Sequence, residues 1–300
     1  MGANVGSPPR NEKPNTVFEI ELMVAGVLVR VVVEGACQPT HIEARFGRFR
    51  RAVSSEPPRA PAASLRVRVV EGWRPPRMPT VPYPGAEGEE RPDGVVHFLR
   101  AWESFTWDTR TRHGEVMRAH LPQSHAPIVD PTPIDTPLRL LLSHDLPRHE
   151  GLLVHASGYG DARGAVVFMA PTGGGKTTTA RKLPEGAVLS DDQVALRRVD
   201  GRWYAHALPF VGEYAKATSP RVTPLRALVL LEKGPSFAAA RVSSGRALAR
   251  VMHCTVRFVR GGDASGLLAL VGDVVEKVPV YALSLSLGDP VMPFIEERLR

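Results

Sequence analysis

Ala165-Val166-Val167-Phe168-Met169-Ala170-Pro171-Thr172-Gly173-Gly174-Gly175-Lys176-Thr177-Thr178 passes from an unbroken apolar run into a glycine cluster, a lysine and two threonines. The apolar run reads as a buried strand, and the residues from Thr178 onward suit a helix. Between them, three glycines let backbone N–H groups turn inward on a polyanion, and the helix adds its positive N-terminal end. Lys176 supplies a mobile cation, and the Thr177 hydroxyl suits Mg²⁺. Strand, glycine loop, Lys-Thr and helix in this order are a P-loop, or Walker A motif. The sequence therefore predicts binding of a nucleoside triphosphate through Ala170, Pro171, Thr172, Gly173, Gly174, Gly175, Lys176, Thr177 and Thr178. Ala170 stands where the pattern G-x-x-x-x-G-K-[ST] has its first glycine, which requires a negative φ or some strain there.

Downstream, Pro184 and Gly186 end a short helix, and Ala187-Val188-Leu189 leads into Ser190-Asp191-Asp192. A strand delivering acids beside a phosphate loop in the same sheet is the arrangement that holds Mg²⁺ against phosphates. Asp191 follows Lys176 by only 15 positions, so the helix between them must be short. Upstream, Gly151-Leu152-Leu153-Val154-His155-Ala156-Ser157 reads as another buried strand, with Gly158 to Gly164 turning into the next one. A histidine in such a strand is ordinarily structural; beside a P-loop strand, His155 can reach the metal or the γ-phosphate.

Val154-His155-Ala156-Ser157, the loop through Lys176-Thr177-Thr178, and Leu189-Ser190-Asp191-Asp192 together resemble the nucleotide-binding core shared by the HPr kinase/phosphorylase C-terminal domain and phosphoenolpyruvate carboxykinase. The resemblance covers roughly residues 137 to 232. It implies an α/β, mixed-sheet P-loop kinase core that uses ATP and Mg²⁺ to phosphorylate a hydroxyl, a serine of a protein or peptide acceptor. The catalytic candidates are Asp191, His155 and Lys176. On this expectation Thr177 and Asp192 would hold the metal, and Asp191 would accept or orient the hydroxyl proton. Two other classes stay open: an ATP-binding regulator without catalysis, for which Ala170 is the one hint, and a small-molecule enzyme of the carboxykinase kind. The same resemblance implies a homo-oligomer.

With 43% hydrophobic residues, the 300-residue chain can build one large or two modest cores. No apolar run approaches membrane-spanning length, and the first residues contain no signal-peptide core. Two cysteines, Cys37 and Cys254, favour a reducing cytoplasm over a disulfide framework. The net charge of +7 raises a nucleic-acid partner, but arginine is spread along the whole chain. The densest cluster, Arg45, Arg48, Arg50 and Arg51, falls in a helix whose apolar stripe is Ile42, Phe46, Phe49 and Val53, which makes the arginines its solvated face.

Residues 1–15 read as a disordered lead-in and 16–130 as an α+β region suited to substrate or partner recognition, while 137–300 form the nucleotide-binding domain. In the first region a hairpin turns at Ala25-Gly26, a helix near Thr40 to Ser54 is capped by Thr40, and a strand spans Leu65 to Val70. Residues 74–93 read as irregular, and 95–120 as strands with Trp102, Phe105 and Trp107 packing a core. A helix near Pro137 to Leu146 opens the second region. There, Asp200-Gly201 marks a hairpin, the loop that holds Glu213 also carries the cations Lys216 and Arg221, which with Arg226 just beyond are candidates to stabilise charge on the transferred phosphoryl group, and Val280 to Leu287 is a late strand.

Overall fold

The computed structural model describes residues 16–52, 61–75, 87–120, 132–171, 173–184, 186–212, 218–234, 236–258, 263–286 and 288–299. The lead-in, Val53, Thr172, Glu213, Lys216 and most of the 74–93 connection lie outside them. The fold is mixed α/β, dominated by strands in two mixed sheets.

The first sheet is seven-stranded, in the order β1 (Val17–Val24), β2 (Val27–Gly35), β3 (Ala63–Val70), β7 (His113–Ala119), β6 (Glu103–Asp108), β5 (Val95–Arg100), β4 (Glu87–Glu90). The expected hairpin joins β1 to β2, with Ala25 and Gly26 both at positive φ. β4 is a strand within the stretch read as irregular. β3 alternates buried and more exposed positions, as its apolar and basic residues dictate. Helix α1 (Pro39–Phe46) and a 3₁₀ turn at Gly47–Phe49 replace the single longer helix. Pro39 occupies its first turn and Gln38 its N-cap, so Thr40 does not cap it.

Helix α2 (Asp135–Asp145) then leads into the second sheet, of eight strands. β8 (Gly151–Asp161) runs four residues past Ser157 into the expected turn and pairs antiparallel with β9 (Gly164–Met169). After the loop and helix α3 (Lys176–Arg181) come β10 (Val188–Ser190), β11 (Gln193–Val199), β12 (Arg202–His206) and β13 (Val222–Lys233). β14 (Ala238–Arg241), α4 (Ser244–Cys254), α5 (Ala264–Lys277) and β15 (Val280–Leu285) complete the element order before a π-helical turn at Phe294–Arg298. β9 lies between β8 and, in parallel, β13, so the pairings close a circuit through β8, β11, β12, β13 and β9.

All six residues of β9 are buried, which explains its uninterrupted apolar sequence: both faces are covered. Ala165, Val167 and Met169 share a core with Val251 of α4 and Val271 of α5, while Val166 and Phe168 pack with Phe294 and Ile295 near the chain's end. Each fully buried large aliphatic or aromatic side chain contributes about 1.5–3 kcal/mol. A third core is shared between the sheets: Leu138 and Leu141 of α2 join Ile20, Leu65 and Trp107 of the first sheet and Leu153, Ala195 and Phe210 of the second half.

Candidate functional site

The loop after β9 wraps its own lysine. Lys176, at the first position of α3, is 6% exposed and donates through Nζ to the carbonyls of Ala170 at 2.9 Å and Pro171 at 3.0 Å. A buried ammonium needs such partners, and they hold the loop in a ring about it. Gly173 and Gly175 adopt φ of +73° and +95°, conformations costly to other residues. Gly174 is required for space, since a Cβ there would sit 2.5 Å from the Ala170 methyl. Ala170 is fully buried and is not among the positive-φ residues, so its backbone meets the condition that alanine imposes. Thr177 and Thr178 are half-buried in the first turn of α3.

The other expected residues lie in the adjoining row of the sheet. Ala156 of β8 is in register with Met169, the last residue of β9, on one side. Its N–H donates to the carbonyl of Asp192 at 3.0 Å. His155 is in register with Gln193. Asp191 and Asp192 are not inside a strand: they occupy the break between β10 and β11, so the alternation of strand faces does not govern them. Ser190 stabilises that break, its buried Oγ accepting from the N–H groups of Asp192 and Gln193, each at 3.2 Å.

The two acids have different surroundings. Asp191, 5% exposed, accepts the Gly212 N–H at 3.0 Å. Asp192 faces His155 Nδ1 through Oδ1 at 3.4 Å and Arg139 Nη1 through Oδ2 at 2.5 Å. Burial alone would raise its pKa, but the His155 hydrogen bond and the Arg139 charge prevail and lower it to about 2. Arg139 is in turn held by Asp135 at 2.7 Å and lies over the Phe210 ring, 4.3 Å from its centroid. Burial opposes its charge, while Asp135 and Asp192 raise its pKa above the ordinary value.

Sequence reasoning missed Arg139, Asp135 and Gly212. Gly212 carried a signal of sorts, a glycine in a loop after an aromatic; a Cβ on it would lie 2.7 Å from Asp191 Oδ2 and 2.9 Å from Asp192 Cβ. Arg221 and Arg226 are turned elsewhere. Arg221 donates to the carbonyls of Gly160 and Gly186, and Arg226 to those of Ile295 and Leu299. Arg45 departs from its expected place on a solvated face, pairing with Asp135 at 2.5 Å with its side chain 13% exposed. Its neighbours Arg50 and Arg51 pair with Glu43 and Glu21 at the surface.

Among the described residues no three His, Cys, Asp or Glu side chains converge as a metal cage. Mg²⁺ does not need one, since it takes one or two carboxylates, water and phosphate oxygens. Asp192 and the Thr177 hydroxyl, the ligands expected from the sequence, are oxygen donors of that kind. Among the described residues no helix is long and apolar enough to cross a membrane.

The family model described as "ScmC: SynChlorMet cassette protein ScmC" matches residues 139–299. That span takes in the loop, His155, both acids and Arg139, and leaves the first sheet outside. No curated protein matches the chain.

Proposed function

We propose that this chain, which belongs to the ScmC family of SynChlorMet cassette proteins, is an ATP-dependent P-loop kinase of the HPr-kinase type that passes the γ-phosphoryl group to a hydroxyl, a serine of a protein or peptide. The observation that carries this reading is the buried Lys176 ammonium, ringed by the glycine loop one strand away from His155 and two from Asp191 and Asp192. A triphosphate would take over the ammonium from the Ala170 and Pro171 carbonyls and accept from the loop N–H groups. Thr177 and Asp192 would hold Mg²⁺, whose charge offsets that developing on the phosphoryl oxygens. Asp191 would orient the acceptor hydroxyl and His155 would stand beside the γ-phosphate. The site as proposed belongs to a cytoplasmic protein with no membrane partner.

The test is calorimetric titration of the full chain with ATP and Mg²⁺. Lys176→Ala should weaken binding by about 10- to 100-fold, the range for losing a charge-assisted contact. Unchanged affinity in that variant would rule the loop out as the phosphate site. Incubation with γ-labelled ATP and serine-containing peptides then reads transfer itself.

A further inference from the structure

Asp192 is the last carboxylate in a line of buried charges that begins beside the first sheet. Arg45 of α1 donates from Nη2 to Asp135 Oδ1 and from Nε to the Pro209 carbonyl at 3.0 Å. Arg139 Nε donates to the second oxygen of Asp135, and Arg139 Nη1 donates to Asp192 Oδ2. The side chains of Arg45, Asp135 and Arg139 are 13%, 7% and 11% exposed. Burying such a chain costs desolvation that its mutual attraction roughly repays, so its contribution lies in orientation more than in stability. Arg139 is fixed by two carboxylates and by the Phe210 ring, and leaving would break all three contacts. A carboxylate offers about four lone-pair sites. Arg139 Nη1 takes one of them on Oδ2 of Asp192 and His155 Nδ1 lies 3.4 Å from Oδ1, which leaves lone pairs on the carboxylate for a cation.

We infer that Arg139 is a positioning residue: it fixes the Asp192 carboxylate for a metal–nucleotide complex, and Asp135 and Arg45 make that orientation depend on the first sheet. The inference rests on the kinase reading above. ATP affinity of the full chain is measured with Mg²⁺ and again in EDTA. In Arg139→Gln, the gain in affinity that Mg²⁺ confers should fall at least tenfold, with the affinity in EDTA within twofold of the parent. Arg139→Lys retains charge but cannot span Asp135 and Asp192 together, so it should recover only part of the gain. Arg45→Gln should reduce it several-fold, through its pairing with Asp135. Thermal melts establish that each variant is folded; if Arg139→Gln is not, Arg139→Lys and Arg45→Gln carry the test. A full Mg²⁺-dependent gain in these variants overturns the inference, as does an equal loss with and without the metal. A parent chain that binds no nucleotide in either condition sinks the kinase reading and the inference with it, an outcome distinct from the other two.

Discussion

At the residue scale, the departure at Ala170 proves to be accommodated. Its φ is not positive, and its methyl is buried against Gly174, so loop and alanine fit each other. Ala170→Gly should therefore leave nucleotide affinity within twofold of the parent while costing about 1 kcal/mol of stability in urea unfolding, from one lost methyl and a freer unfolded chain. A large gain in affinity would mean the alanine impairs the loop. His206 makes a second residue-scale prediction. It is 7% exposed at the end of β12, and its Nε2 has no hydrogen-bond partner among the described residues. Burial, and secondarily Arg197, lowers its pKa to about 4. The unfolded chain protonates this histidine below about pH 6.5, whereas the folded chain resists until about pH 4. Stability is thus fully present above pH 6.5 and falls as pH drops through that window, by up to roughly 3 kcal/mol. His206→Gln should flatten the difference in unfolding free energy between pH 7 and pH 4, and an unaltered slope would count against this account.

At the element scale, β10 and β11 behave as one strand interrupted where the acids sit, both segments pairing with β8. Ser190 closes the interruption by accepting two backbone N–H groups. Ser190→Ala should cost about 1–3 kcal/mol, because a buried acceptor is removed and its donors stay behind. It should also weaken Mg²⁺-dependent ATP binding more than binding in EDTA, an asymmetry that a purely structural serine would not produce. The sequence announced the acids and the short helix before them. It placed the acids at the end of one strand and a second strand from Val194, but not that both segments pair with β8 or that Ser190 ties the break, because neither depends on neighbours in the chain. The same limit applies to α1. Its apolar stripe of Ile42, Phe46 and Phe49 was legible and is buried, but which arginine between those positions turned inward depended on Asp135, far along the chain.

At the scale of the whole molecule, the two halves are joined by a shared core in addition to the two that the second half builds for itself. α2 and the first sheet share a core with Leu153, Ala195, Leu208 and Phe210 of the second half. The full chain should therefore unfold in one transition. A fragment of residues 137–300 should bind a hydrophobic dye and lack a cooperative melt, since Leu138, Leu141 and Phe210 would lose their cover; a sharp melt of that fragment would show the halves to be independent. Sequence alone determined the apolar strand, the glycine loop about Lys176, the paired acids and the hairpin turns, because each is set by neighbours within a few residues through periodicity, φ preference and local hydrogen bonding. Only the tertiary structure decided that Arg139 and Gly212 belong beside those acids, with Asp135 and Arg45 lined up behind Arg139. Pairing of buried charge and close approach of backbone are settled by distances across the fold, and no local pattern in the chain records them.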